Sequence, residues 1–278
     1  MVRKTIVVVF AGLVLATTAS AQAPARLRWQ TGQVLTYQAS HATQATEVVE
    51  DKRIETKSLL NLTKRWQVIN VDAAGVATLQ LTLLALRMEM TTHTGDVLKF
   101  DSAASKDSTP ELREQLGKFV GPPLAVLRVD GTGKVLEVKE SKFGPASRFE
   151  SELPFVGVLP IEALKPRLQW ERTFPITLEP PQGTGEKHTA SQKYVCKSVA
   201  GYTATIGVTT ELKAPPAAVA DRIPLQHYLP EGEIVYDLQA GRMKNALLNI
   251  DKELKGHQGE GSSYRFQSQY SEQFISDR

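Results

Sequence analysis

His41, His93, His188, His227 and His257 are the side chains best suited to bind a metal or move a proton near neutral pH. No two of them stand at a local ligand spacing such as i, i+4 on a helix, so the sequence predicts no metal centre. His93-Thr94-Gly95-Asp96 reads as a polar turn rather than the seat of a catalytic base. Cys196 is the single cysteine, which excludes an intramolecular disulfide. A nucleophilic thiol needs a neighbouring base or a helix N-terminus to lower its pKa. Tyr194-Val195-Cys196-Lys197 instead has the pattern of a strand, which predicts a buried, inert thiol.

The remaining motifs with catalytic overtones fail on spacing. Gly131-Thr132-Gly133-Lys134 lacks the leading glycine of a phosphate loop, since Arg128 stands there, and Val135 follows the lysine where Ser or Thr is needed. It reads as a hairpin turn. Gly183-Thr184-Gly185 sits among Pro180, Pro181 and Gln182, without the strand-to-helix context of a nucleotide fingerprint. Gly259-Glu260-Gly261-Ser262-Ser263 lacks the spacing of a nucleophile elbow. Glu50-Asp51 and the pair Glu231 and Glu233 read as solvated acids. No catalytic, cofactor-binding or metal-ligating residues are therefore assigned. Tyr264, Phe266, Tyr270 and Phe274 form an aromatic row that packs into a core or lines a cavity for an apolar ligand.

Residues 1–21 carry a different kind of information. Arg3 and Lys4 form a positive leader, Thr5 to Leu15 an apolar run, and Ala19-Ser20-Ala21 a small-residue cleavage site. This is the pattern of a signal peptide cut before Gln22, and it predicts a periplasmic or secreted protein. The apolar run is shorter than the roughly 20 residues of a membrane-spanning helix, so no transmembrane anchor is expected after cleavage. Of the formal net charge of +3, two units belong to Arg3 and Lys4. Acids and bases alternate elsewhere, as in Glu137-Val138-Lys139-Glu140, so the clustered basic face of a nucleic-acid-binding protein is missing.

Strands must position whatever chemistry exists. Period-two alternation recurs along the chain and is clearest at the C-terminus. There Tyr264, Phe266, Tyr270 and Phe274 share one face, and Arg265, Gln267, Gln269, Ser271 and Gln273 the other. In Val76 to Met90 the apolar register shifts from Ala77, Leu79, Leu81 and Leu83 to Leu84, Leu86, Met88 and Met90, which predicts a bulge near Leu83 and Leu84. Turns at Asp72–Gly75, Asp130–Gly133 and Ala240–Arg242 join consecutive strands as hairpins. Ser108-Thr109-Pro110-Glu111 supplies a capping hydroxyl and an N1 proline for a short helix over 110–118, and a second helical piece is expected between Ala146 and Leu153.

The expectation is a mainly β protein of antiparallel meander sheets with short helices, in which long strands with few helices to cover them favour curling into a partly closed barrel or half-barrel. Residues 22–158 form a first β-rich half and 159–278 a second. The halves look alike: Gly95 to Asp101 matches Gly232 to Asp237 in spacing and chemistry, and Trp29 matches Trp170.

Leu27-Arg28-Trp29 with Gly32, Gly95 to Asp101, Pro123 to Leu127 running into Asp130 to Val135, and Leu159-Pro160 leading to Trp170 occur in this order. In that order the chain resembles an uncharacterised exported β-rich bacterial family, a domain of unknown function of planctomycete type. The resemblance implies export, a β-rich fold and a Gram-negative-type periplasm. It supplies no catalytic residues. The expected role is a non-catalytic binding or assembly protein of the envelope, with an apolar small molecule or an envelope protein as partner. A protein-interaction module without a small ligand is the first alternative. A hydrolase whose site gathers His93, His227 or His257 with acids is the second.

Overall fold

The computed structural model describes residues 24–142, 146–150 and 157–276; the leader and its cleavage site lie outside the described residues. Twelve strands form a single antiparallel sheet. The first six are β1 (Val34–Val49), β2 (Lys52–Val71), β3 (Ala77–Thr91), β4 (Val97–Asp101), β5 (Pro123–Val129) and β6 (Val135–Ser141). The others are β7 (Gln169–Leu178), β8 (Glu186–Ala200), β9 (Thr203–Leu212), β10 (Glu231–Asp237), β11 (Arg242–Lys255) and β12 (Ser263–Ser276). Their order across the sheet is β6-β5-β3-β2-β1-β12-β11-β10-β9-β8-β7, with β4 paired to β3 beyond the end of β5. Each run of the chain is thus a meander of hairpins, and the two meanders join where β1 pairs β12.

The sheet is strongly curled. The short 3-10 turn Pro224–Tyr228 packs on both β7 and β11. In a flat sheet those strands, four steps apart, would be roughly 19 Å distant. The turn Ala146–Glu150 likewise packs on β6 and β7, the two edges of the sheet. The edges do not pair with each other, so the shell is open, and Phe149 from this turn is buried in the core. A main cluster draws buried side chains from both meanders, including Leu35, Trp66, Leu79, Leu127, Tyr194, Ile206 and Tyr236.

One end of the shell is tied off by backbone hydrogen bonds. The Leu27 amide donates to the Gly131 carbonyl at 2.7 Å, and the Arg28 amide donates to the Gly241 carbonyl at 2.8 Å. The segment before β1 thereby links the β5–β6 turn to the β10–β11 turn. Leu159 donates to the Thr132 carbonyl at 2.8 Å, adding the β6–β7 connection to the same plug. Gly241 has φ +64°, and a Cβ there would collide with the Arg28 side chain, so glycine is needed both for the turn and for this close approach.

The bulge in β3 lies where the apolar register changes. Thr63 pairs Ala85 and Lys64 pairs Leu83, leaving Leu84 without a partner on β2 and 42% exposed. The Leu83 carbonyl accepts from Gly121 at 2.9 Å, so the chain after the helix holds the bulge in place. The helix, α1 (Pro110–Gly117), has its N1 proline, but the preceding hydroxyls do not cap it. Thr109 Oγ1 accepts from the Lys99 amide and Ser108 Oγ from the Asp101 amide, both at 3.0 Å. These hydroxyls satisfy the free edge of β4, a demand that local sequence spacing does not reveal. Phe100 on β4 and Tyr236 on β10 are both buried, yet β4 pairs only β3 whereas β10 lies between β9 and β11.

Candidate functional site

The aromatic row of β12 faces the inside of the shell together with the facing residues of β1. Phe274 is opposite Tyr37, Tyr270 opposite His41, Phe266 opposite Ala45 and Tyr264 opposite Glu47. The same period places Ser268 and Glu272 on this inner face, opposite Thr43 and Ala39. Their environments differ along the strand. Phe274 meets Tyr37 edge-on with ring centroids 5.5 Å apart and lies under the Arg242 guanidinium at 3.9 Å. Phe266 is 3% exposed and carries the His227 ring at 4.0 Å.

A polar network crosses the inner face at mid-shell. Lys64 Nζ donates to Glu272 Oε2 at 2.7 Å and to the Tyr270 hydroxyl at 3.1 Å, and that hydroxyl donates to Glu272 Oε2 at 2.6 Å. The two charged side chains are 1% and 0% exposed. Lys64 stands opposite Tyr37 and Glu272 opposite Ala39, so the lysine reaches diagonally across β1, over the small Ala39 side chain. Burial, and then the Glu272 carboxylate, push the Tyr37 phenol well above its ordinary pKa. Tyr194, stacked on Trp170 at 5.3 Å, is pushed up to about 12 by burial, so both phenols stay neutral.

This network separates two kinds of interior. On the side of the tied-off end, inner-facing Leu35, Trp66, Val68, Leu79 and Leu81 are fully buried. On the other side the inner row Met88, Leu60, His41 and Tyr270 runs across β3, β2, β1 and β12, and all four are only half-buried. The next row contains the small side chains Ser58, Thr43 and Ser268. Thr43 and Ser58 hydroxyls bond each other at 2.7 Å, and His41 Nε2 lies 2.8 Å from Ser268 Oγ. Small side chains stand between larger apolar ones on this half-buried stretch of the inner face, hereafter the crevice, and the Pro224–Tyr228 turn approaches it where the His227 ring lies on Phe266. His227 on that turn has its pKa lowered, first by burial and then by His41.

The other residues with chemical potential are dispersed. His93 is exposed in the β3–β4 turn, and His188 is half-buried on β8. His257 Nε2 meets Glu47 Oε1 at 2.8 Å in the β11–β12 connection, which ties this loop to β1. His227 reaches the crevice, but His93 and His257 do not join it in a common hydrogen-bonded cluster. Among the described residues, no group of three or more His, Cys, Asp or Glu is gathered to hold a metal ion. Cys196 is buried on β8, and burial pushes its thiol pKa up. Glu231 and Glu233 are exposed, and Glu233 pairs Lys197 at 2.7 Å. The outside of the sheet carries a broad open dent of about 690 Å³ lined by outward-facing Ala42, Gln44, Leu59, Asn249, Gln267 and Gln269. Its amides face solvent, and no catalytic pairing is present there.

No helix among the described residues is long and apolar enough to cross a membrane. No protein-family model and no curated protein matches this chain. DynF from the dynemicin biosynthesis pathway of Micromonospora chersina is 8% identical with a TM-score of 0.24, over 94% of this chain and 92% of that one. The open-gate secretin InvG (residues 176-end) of the Salmonella SPI-1 type III secretion injectisome is 10% identical with a TM-score of 0.14, over 90% of this chain and 62% of that one.

Proposed function

We propose that the chain is an exported, non-catalytic binding protein of the bacterial envelope, and that it holds the apolar part of a small ligand in the inner-face crevice. One observation carries the reading: Leu60 and Met88 point into the shell yet remain half-buried, whereas their counterparts toward the tied-off end are fully covered. Apolar surface facing inward but left partly wet gains about 25 cal/mol per Å² when a ligand covers it. Concave, mostly apolar sites with a few fixed polar groups are the usual form of small-molecule sites. His41, Ser268 and Tyr270 are such groups.

Two measurements test the parts of this reading separately. Nile red is expected to brighten on mixing with the folded protein, and Leu60→Asp is expected to abolish most of that signal while the far-UV spectrum stays that of a β protein. Brightening that Leu60→Asp leaves unchanged would place the dye elsewhere and end the binding reading. Export rests on Arg3, Lys4, the apolar run and Ala19-Ser20-Ala21. Expressed in a Gram-negative host, the protein should be recovered from the periplasm or medium with Gln22 at its N-terminus. An intact chain confined to the cytoplasm would refute export.

A further inference from the structure

We infer that the outer face of the central strands binds a neutral polyhydroxylated chain, an oligosaccharide, along a strip of side-chain amides. This surface is on the opposite side of the sheet from the crevice and does not rest on the reading above. Phe266, Ser268, Tyr270 and Glu272 point inward, so the residues between them point out, and the pairing of β12 with β1 and β11 sets them in rows. Gln273 stands between Gln38 and Asn245; two residues along, Ser271 stands between Ser40 and Leu247. Gln269 follows between Ala42 and Asn249, and its Nε2 donates to Asn249 Oδ1 at 3.4 Å. Gln267 comes last, between Gln44 and Asp251. These rows line two adjoining hollows of about 400 and 690 Å³. A twisted sheet that curls takes the hyperboloid form of a barrel wall, which is hollow along its outer side. From Gln38 to Gln44 the strip runs roughly 20 Å.

The strip differs in charge from the rest of the outer face. Its outward residues on β1 and β12, and on β11 as far as Asn249, are all neutral, with side-chain amides prevailing. Charge begins at the border and is paired there: Lys57 meets Glu55 at 2.6 Å, and Asp251 accepts from Arg265 at 2.8 and 2.7 Å. Beyond it the sheet carries ion pairs on both sides, Lys197 with Glu233 at 2.7 Å and Arg128 with Asp72 at 2.8 Å. Opposite charges across a β pair add stability, and the central strands forgo that gain in favour of amides. An amide offers N–H donors and a carbonyl acceptor on adjacent atoms. Two neighbouring hydroxyls of a sugar ring match it: one oxygen accepts from the N–H, and the next hydroxyl donates to the carbonyl. Being uncharged, such a chain lies on the strip without stripping water from an ion. Exposed Leu59 and Leu247, with Ala42 between their rows, offer apolar contact to the C–H faces of the rings. A nucleic acid would need a basic stripe instead, and an extended peptide pairs with a sheet edge and not with its face.

The test is retention of the whole protein on immobilised hexasaccharides of glucose, mannose, xylose and N-acetylglucosamine, with oligogalacturonate as the acidic comparison. At least one neutral chain should retain it and the acidic chain should not. The free hexasaccharide should compete at a concentration at least tenfold below that of its monosaccharide, because the strip is several sugar rings long. Gln269→Ala with Asn249→Ala should weaken retention at least tenfold, while Lys197→Ala, among the ion pairs, leaves it unchanged. Gln273→Ala with Asn245→Ala serves as a second pair if the first does not fold. The inference is overturned if no neutral chain retains the protein, if oligogalacturonate retains it equally, or if retention survives the amide substitutions. It is also overturned if sedimentation shows a dimer that these substitutions dissociate, since a second copy of the chain would then cover the strip.

Discussion

Replacing Lys64 with methionine is expected to destabilise the fold by about 3 to 5 kcal/mol, because it leaves the Glu272 carboxylate buried without its cation. The pair is 2.7 Å apart and both side chains are essentially out of contact with water. Glu272→Met should cost a similar amount. The double substitution Lys64→Met with Glu272→Met should recover most of the loss, since two well-packed apolar side chains need no desolvation of charge. Denaturant midpoints of the three variants measure this. A change within about 0.5 kcal/mol for Lys64→Met alone, the range of ordinary surface substitutions, would show that the charges are not held in a dry interior.

Phe266→Ala is the second large effect. The ring is 3% exposed and lies between the sheet and His227, so truncation should cost about 3 to 5 kcal/mol through lost burial and the cavity left behind. Chemical denaturation of this variant tests the inward register of β12 directly. Because Phe266 packs beside the crevice instead of forming its half-wet wall, Nile red binding at temperatures where the variant is folded should change far less than in Leu60→Asp. A variant as stable as the parent would mean that the ring is not part of the core.

Local pattern in the chain carries much of this architecture and none of its long-range pairing. The alternation over 264–274 already orients the aromatic row inward, and the register of β1 against β12 agrees with it. The Leu83–Leu84 slip is legible because two apolar registers cannot share one face without an inserted residue. The hairpin glycines are legible for a similar reason: Gly75, Gly133 and Gly241 all take positive φ. What stayed hidden is non-local. Lys64 and Glu272 are separated by 208 positions and His41 and Ser268 by 227, so no spacing rule connects them. A weaker signal was nevertheless present. Ser268 and Glu272 stand in phase with the aromatics of β12, and Lys64 in phase with Leu62 and Trp66, as polar residues at inward positions. Such phase violations mark where an interior carries polar chemistry. Gln226, buried on the Pro224–Tyr228 turn, had no comparable mark, because that turn rests on strands far apart in the sheet.

The pairing of β1 with β12 also governs when the molecule can become whole. The first strand described and the last lie side by side at the centre of the sheet, and the main ion pair joins residues from their two meanders. As the polypeptide emerges from a ribosome or a translocation pore, β1 through β6 can pair among themselves, but the central seam must wait for residues 263–276. Until then β1 presents a long unpaired edge, and Lys64 lacks its carboxylate partner. Contacts of such high sequence separation make folding slow and late. Until the seam closes, that open edge makes the interval the period of greatest exposure to misassociation.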